Sequence, residues 1–204
     1  MFSDESDPSS SKRAKRVRSD DEAINRDGFE SISKSDQMIV RALVSISAAD
    51  ARQTLSVAAP PPRHLVFLTV DQLMADAQFA ICHPATLKNL QALVAVQLFL
   101  VSLLKFNLAA RLGGIIARMA FHLGLHRCPA RFRHFNASEA ELRRRMFFCV
   151  YCLDRILCQF LGLPLGINDT DVDVCYPGEE THAVDVHAME SSTAECECII
   201  RGGA

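Results

Sequence analysis

Residues 113–164 read GGIIARMAFHLGLHRCPARFRHFNASEAELRRRMFFCVYCLDRILCQFLGLP. Apolar residues recur at helical spacing on both sides of Gly124, a residue type that commonly ends a helix. Ser138, followed three residues later by Glu141, predicts a capping box at the start of the second helix. The stretch therefore predicts a helix over residues 109–123, a turn, and a longer helix from residue 138.

Three further helices are predicted upstream. Apolar spacing indicates helices over residues 37–59 and 65–81, and Thr86 is a candidate N-cap for a third that runs to about residue 105. Three prolines at 60–62 end the first of them. The chain has no Trp, two Tyr and 49% hydrophobic residues, which suits packed helices better than sheets. We expect an all-α, irregular multi-helix domain over residues 37–178.

The last predicted helix carries one broad apolar stripe, which we expect to face the core. The stripe consists of Leu142, Met146, Cys149, Val150, Leu153, Ile156, Leu157 and Phe160, and the residues expected to face away are Arg144, Tyr151 and Arg155. Asp154 lies at the edge of the stripe, where a carboxylate needs a cation, and we predict that Arg118 or Arg127 supplies it. Glu141 and Arg145, four residues apart, predict an ion pair.

Both ends of the chain are predicted to be disordered, over residues 1–36 and 179–204, because they contain few aliphatic residues. The first end contains a basic cluster that is a candidate nuclear localisation signal, formed by Lys12, Arg13, Lys15, Arg16 and Arg18. The same end lacks the apolar core of a secretory signal, so we expect an intracellular protein with reduced cysteines. The apolar run at residues 90–104 is too short for a membrane span.

Charge is uneven along the chain. Residues 111–145 carry eight Arg against two Glu, whereas residues 169–204 carry nine acidic residues against one Arg. A basic stretch of this size could meet nucleic acid, but we favour a solvated face or pairing with the acidic end.

Three constellations could suggest metal binding, and each is better explained by packing or solvation. Cys149 and Cys158 lie nine residues apart, which places them on opposite sides of a helix, so they cannot share a zinc ion with Cys152. His122 and His126 are separated by Gly124 and have no third ligand. The acidic run at 168–173 lacks the glycine and the flanking helices of a calcium loop. We expect no metal or other cofactor in this chain.

An enzyme is not expected either. The sequence has no nucleophile beside a base, no pair of carboxylates predicted to be buried, and no glycine-rich phosphate loop. We interpret the pair Gly113-Gly114 as a point of close helix approach.

The central stretch resembles the fungal-specific transcription factor domain, the helical middle region that follows a zinc binuclear cluster in fungal regulators. The matching residues are Ala117, Ala120, Leu123, Gly124, Leu125, His126, Arg127, Glu141, Arg143, Arg144, Arg145, Phe147, Tyr151, Asp154, Arg155, Gly162, Pro164, Ile167, Asp169, Asp171, Val172, Asp173 and Pro177. Phe148 stands where the family often has Trp, and Leu163 stands where Arg is common. The resemblance covers about 65 residues and extends back to Met38 less closely.

The resemblance implies a nuclear transcription regulator whose helical domain controls activity or contacts other proteins. Its partners would be proteins of the transcription machinery or a full-length relative. DNA and zinc binding are implied by the family only, because no six-Cys cluster occurs in these 204 residues. The family's helical domain also continues further, so we expect a truncated version of it here.

Two alternatives remain open. One is a helical interaction module that binds a protein partner without entering transcription directly. The other is a metabolite sensor that binds a small-molecule effector between the fourth and fifth predicted helices.

Overall fold

The structure, a computed structural model, describes residues 26–53, 60–132 and 134–176. Helix α1 covers residues 26–31, and it is followed by α2 (Lys34–Gln53), α3 (Val70–Cys82), α4 (Leu87–Ser102), α5 (Phe106–His122) and α6 (Ala137–Leu161). Short 3-10 turns lie at Arg63–Leu65, Pro129–Arg131 and Asp169–Asp171. The described ranges contain no strand, and the all-α prediction is confirmed. None of their helices is long and apolar enough to cross a membrane.

Helix α4 is the centre of the fold. It packs against α2, α3, α5 and α6. Six consecutive residues, 92–97, are buried, which is more than one full turn and therefore includes every face of the helix. An apolar helix of this kind is stable in water only when other helices surround it.

Two helix starts follow from threonine caps. Thr86 Oγ1 accepts a hydrogen bond from the backbone N of Asn89 at 3.1 Å, which confirms the predicted start of α4. Thr69 Oγ1 accepts from the backbone N of Gln72 at 3.1 Å and starts α3 at Val70. The prediction of a helix from residue 65 was wrong there, because the cap lies further along the chain.

The disordered end was predicted to extend to residue 36, and this is wrong for residues 26–36. Helix α1 and the first turn of α2 lie in that range, and Phe29 is buried. The guanidinium of Arg41 lies 5.3 Å from the centre of the Phe29 ring, and Gln37 Nε2 donates to Glu30 O at 3.3 Å, so both contacts attach α1 to α2. Residues 1–25, with the basic cluster, and residues 177–204 lie outside the described residues.

Helix α6 begins earlier than the predicted capping box. Asn136 is the N-cap, and its side-chain oxygen accepts from the backbone N of Glu139 at 2.8 Å. Asn is as good an N-cap as Ser, and Glu139 stands three residues after it. The cap thus uses the Asn136–Glu139 spacing and not the Ser138–Glu141 spacing.

The buried face of α6 is rotated relative to the predicted stripe. Met146, Val150, Leu153 and Leu157 are buried as predicted, but Phe147 and Cys158 join them. The remaining predicted core positions, Leu142, Cys149, Ile156 and Phe160, are exposed. Arg144, Tyr151 and Arg155 were predicted to face away and are half-buried instead. The described helices cover only part of the apolar stripe.

Helices α4 and α5 approach closely at Gly113. Gln97 of α4 is 1% exposed, and its side-chain nitrogen donates to the backbone oxygen of Ala109 at 3.1 Å. A Cβ atom at Gly113 would lie 2.6 Å from that nitrogen, whereas a Cβ at Gly114 would have no atom within 4 Å. The close-approach interpretation of the glycine pair therefore applies to Gly113.

This difference gives a matched test of the α4–α5 contact. In Gly113→Ala, the new methyl group displaces the Gln97 amide from Ala109 inside the core, and we expect a loss of about 1–3 kcal/mol in the free energy of unfolding. In the control Gly114→Ala the methyl group has no atom within 4 Å, and we expect the free energy of unfolding to rise by about 0.5–1 kcal/mol. Urea denaturation followed by circular dichroism measures both. Equal effects of the two substitutions would contradict the close-contact assignment.

Candidate functional site

The residues of the central stretch assemble at the two ends of α6. At the first end, the guanidinium of Arg143 donates to the backbone oxygen of Leu123 at 2.6 Å, at the C-terminus of α5. It also lies 4.1 Å from the centre of the Phe135 ring. Burial lowers the pKa of Arg143, and the charge of Glu139 opposes this shift. A cation at a helix C-terminus satisfies a carbonyl that has no partner in its helix.

The turn after α5 is built on Gly124, which has φ +68° in the left-handed region. Leu125 is buried, and His126 packs edge-on against Phe121 with 5.1 Å between ring centres. Burial lowers the pKa of His126, and the charge of Arg127 acts in the same direction. The backbone oxygen of His126 accepts from the backbone N of Asp173 at 3.0 Å. The turn therefore binds the segment that follows α6.

At the second end of α6, Asp154 binds the backbone of the following loop. Its carboxylate accepts from the backbone N of Gly166 at 3.1 Å and from that of Ile167 at 3.2 Å. The side chain is 12% exposed. A carboxylate that receives two backbone N–H groups forms stronger hydrogen bonds than a neutral acceptor. This contact fixes the path of the chain after the helix.

Gly166 is required for this contact, because a Cβ atom there would lie 2.6 Å from Asp154 Oδ1. Gly162 ends α6 with φ +64°, and the backbone N of Leu163 donates to Cys158 O at 3.0 Å. The thiol of Cys158 donates to Pro164 O at 3.2 Å. The loop thus returns along the last turns of α6.

Arg155 makes the second contact with the same loop. Its guanidinium donates to Ile167 O at 2.8 Å, pairs with Asp169, and lies 4.3 Å from the centre of the Tyr151 ring. Tyr151 also donates its hydroxyl to Asp169 at 2.8 Å. Burial alone would lower the pKa of Arg155, but its interactions with Tyr151 and Asp169 raise it. The bond from Tyr151 and then that from Arg155 lower the pKa of Asp169.

The predicted cation for Asp154 was wrong. Arg127 pairs with Asp173 at 3.7 Å, and Arg118 is exposed on α5. Asp154 binds loop amides and the neighbouring Arg155, at 3.3 Å, because the loop returns over α6 and brings donors closer than any other helix does.

The predicted pair between Glu141 and Arg145 is present at 3.6 Å, and Glu141 makes a shorter one with Arg144 at 2.8 Å. The side chain of Arg145 remains 71% exposed. Surface pairs of this kind contribute little stability.

Comparison with known protein families supports the resemblance that the signature residues indicated. The profile of the fungal specific transcription factor domain matches residues 17–198. This match covers most of the chain. The chain belongs to the fungal specific transcription factor domain family.

Curated relatives carry names of transcription factors and regulators. The chain is 46% identical over 97 residues to the "Probable transcription factor FUP6" of Fusarium proliferatum, a match that covers 47% of this chain and 14% of the relative. It is 29% identical over 155 residues to the "Zn(2)-C6 fungal-type transcription factor pigI" of Monascus ruber, covering 74% of this chain and 18% of the relative. The chain therefore spans less than a fifth of the length of either relative. No solved structure gives a significant match.

The residues of this family domain do not fit a zinc cluster where the structure describes them. In that part of the chain, no group of three or more His, Cys, Asp or Glu side chains could hold a metal ion. Cys158 is buried against Pro164 O, as its predicted packing role requires. Cys149 and Cys152 are exposed, so the same prediction was wrong for them. His122 is exposed and His126 packs against Phe121.

Sequence reasoning missed two residues of the site. Phe135 supports Arg143, and Gly166 admits the carboxylate of Asp154. A glycine shortly after a helix could have been recognised as a point of close backbone approach. The stacking of Phe135 had no local signal, because it depends on the path of the turn between α5 and α6.

The Asp154 contact gives a second prediction. In Asp154→Asn the side chain loses its charge, and its NH2 group faces backbone N–H groups of the loop, so we expect a loss of about 1.5–3 kcal/mol in the free energy of unfolding. The control Glu141→Gln removes a carboxylate of the same helix that pairs with the half-buried Arg144 and the exposed Arg145, and we expect a smaller loss, of about 1 kcal/mol. Urea denaturation measures both. A loss for Asp154→Asn no larger than that of the control would show that the loop does not depend on the carboxylate.

Proposed function

We propose that this chain is a regulatory domain of a fungal transcription factor and that it acts in the nucleus through contacts with other proteins. DNA would be reached through a zinc cluster outside these 204 residues. The role is regulatory and not catalytic. The names of the relatives support the transcriptional role, and the engagement of Arg143 and Arg144 within the domain supports protein contact over DNA contact.

The arginines are the observation that carries this proposal. Arg143 binds Leu123 O, Arg144 binds Glu141, and Arg127 lies beside Asp173. Arginines that bind phosphates need exposed guanidinium groups aligned on one surface. Arg143 and Arg144 are instead engaged with the domain's own backbone and with Glu141, whereas Arg127 is 53% exposed beside Asp173.

The exposed face of α6 supports a protein partner. Its second half presents Cys152, Ile156 and Phe160, and Leu163 follows the helix, with Phe160 68% exposed. Contiguous exposed apolar surface of this kind is typical of protein contact sites. These side chains carry no positive charge that could bind a phosphate backbone.

The small-molecule effector stays a prediction. A shallow groove of about 420 Å³ runs along α3 and is lined by Asp71, Met74, Ala75, Gln78 and Ile81. This groove does not touch α5 or α6, the helices between which the effector was expected.

A reporter assay tests the role in transcription. The full chain is fused to a heterologous DNA-binding domain and recruited to a reporter promoter, where we expect a several-fold change in transcript relative to the DNA-binding domain alone. Ile156→Glu places a charge on the exposed apolar face and should return the transcript towards the baseline. Gln159→Glu adds the same charge to a polar exposed position of the same helix and should leave the transcript unchanged.

Immunoblotting and a thermal melt establish that the fusions are equally abundant and folded. Baseline transcript with the unmodified chain would contradict the transcriptional role. Equal effects of the two substitutions would contradict the assignment of the α6 face while leaving the transcriptional role standing.

A localisation experiment tests the basic cluster. The chain is fused to tandem fluorescent proteins, which make passive entry into the nucleus slow, and we expect nuclear fluorescence. Deletion of residues 12–18 removes five cations and should move the signal to the cytosol, because import receptors read clustered Lys and Arg. Deletion of residues 5–11 removes the same length of polar chain without a cation and should have no effect. Nuclear fluorescence after deletion of 12–18 would exclude the cluster as the signal.

A further inference from the structure

Two buried cysteines from distant parts of the chain meet beside the turn after α5. Cys128 Sγ and Cys175 Sγ lie 3.3 Å apart and are separated by 47 residues in sequence. Their residues are 0% and 4% exposed. The first follows the Gly124–Arg127 turn, and the second belongs to residues 172–176, which we call the closing segment.

The backbone brings the two cysteines together. The backbone N of Asp173 donates to His126 O at 3.0 Å, and each cysteine stands two residues further along its own segment. The closing segment is held on both sides of Cys175. Val174 is buried in the core, and the Tyr176 ring stacks on Phe148 with 4.8 Å between ring centres. The proximity of the sulfur atoms therefore follows from ordered backbone and from packing on both neighbours.

We propose that Cys128 and Cys175 form a reversible disulfide when the protein meets a peroxide, and that this bond locks the closing segment onto the turn after α5. The proposal goes beyond the transcriptional role and does not depend on it. Cytosolic and nuclear thiols are normally reduced, and intracellular disulfides are usually transient and redox-sensing.

The chemistry balances with hydrogen peroxide as the oxidant. One cysteine thiolate attacks a peroxide oxygen, the O–O bond breaks, and a sulfenic acid and one water form after proton transfer. The second thiol then attacks the sulfenic sulfur, the S–S bond forms, the S–O bond breaks, and a second water leaves. The two sulfur atoms together lose two electrons, which reduce the peroxide to two waters. A dithiol reductant reverses the change by thiol–disulfide exchange.

Cys158 is buried as well, but its thiol donates to Pro164 O at 3.2 Å. Cys82, Cys149 and Cys152 are exposed. Among the described cysteines, the contact of Cys128 with Cys175 is therefore the one that joins the sulfur atoms of two buried residues.

The consequence is a closed covalent loop around α6. The bond joins the start of the α5–α6 connection to the closing segment, so the whole of α6 lies within the loop. A cross-link over a loop of this length restricts the unfolded chain, and we expect the oxidised protein to melt about 10 °C above the reduced protein. Opening of the closing segment would then require reduction first.

Peptide mapping tests the bond in the full chain without any substitution. The reduced protein is exposed to hydrogen peroxide, remaining thiols are alkylated, and the protein is cleaved after Lys and Arg and after Asp and Glu. These cleavages place Cys128 in peptide 128–131 and Cys175 in peptide 174–179, each with a single cysteine. We expect a cross-linked pair whose mass is the sum of the two thiol peptides less two hydrogen atoms, and its loss on reduction.

Thermal melting of cysteine variants tests whether the disulfide holds the closing segment on the turn after α5. Cys175→Ala should abolish the oxidant-dependent rise in melting temperature, whereas Cys152→Ala, at an exposed cysteine, should keep it. If Cys175→Ala does not fold, the reduced and oxidised forms of the unmodified chain provide the comparison. Peptide 128–131 recovered only in alkylated form, or joined mainly to another cysteine, would overturn the proposal. Cross-linking without a rise in melting temperature would show that the disulfide does not hold the closing segment in place.

Discussion

The burial of α4 on every side is the constraint on which the rest of the structure depends. An apolar helix that contacts α2, α3, α5 and α6 constrains where those helices lie, because residues 92–97 are buried and must be covered all round. The one long polar side chain buried in this helix, Gln97, is accommodated by a helix without a side chain at Gly113. The position of α5 therefore follows from α4, and the position of α6 follows from its packing on α5.

Once α6 is in place, the polar residues at its two ends determine how the neighbouring loops run. The contacts differ in strength, and this difference decides which of them organise the site. Asp154 receives two backbone N–H groups in a half-buried position, and a hydrogen bond to a charged group is worth about 1.5–3 kcal/mol. The exposed pair of Glu141 with Arg145 is worth about 0–1 kcal/mol. The loop after α6 is thus held mainly by Asp154 and Arg155, and the run of arginines contributes chiefly through Arg143 and its carbonyl partner.

The sequence allowed the helical class, the cap at Thr86 and the exit at Gly124 to be predicted, because each depends on local spacing and on one residue type. The orientation of α6 could not be predicted in the same way. Its apolar stripe is wider than the surface that its neighbours cover, and a helical pattern does not say which part of a wide stripe is buried. The partner of Asp154 was missed because its donors are backbone groups of a loop, and side-chain types carry no information about them. Phe135 was missed for a similar reason, since its contact with Arg143 depends on the path of a turn.

Part of the family signature in this chain is therefore an internal scaffold. Arg143, Asp154 and Arg155 all direct their polar groups to the domain's own backbone, so they are unavailable to recognise a partner. The partner contact that we propose then falls to exposed residues, which include Arg127 and Arg145 of the signature and residues on the surfaces that the scaffold holds in place. The exposed face of α6 has this property, because Ile156 and Phe160 alternate along the same helix with the buried residues that anchor it. A substitution in the scaffold should alter every function of the domain through its stability, whereas a substitution on that face can alter recognition alone.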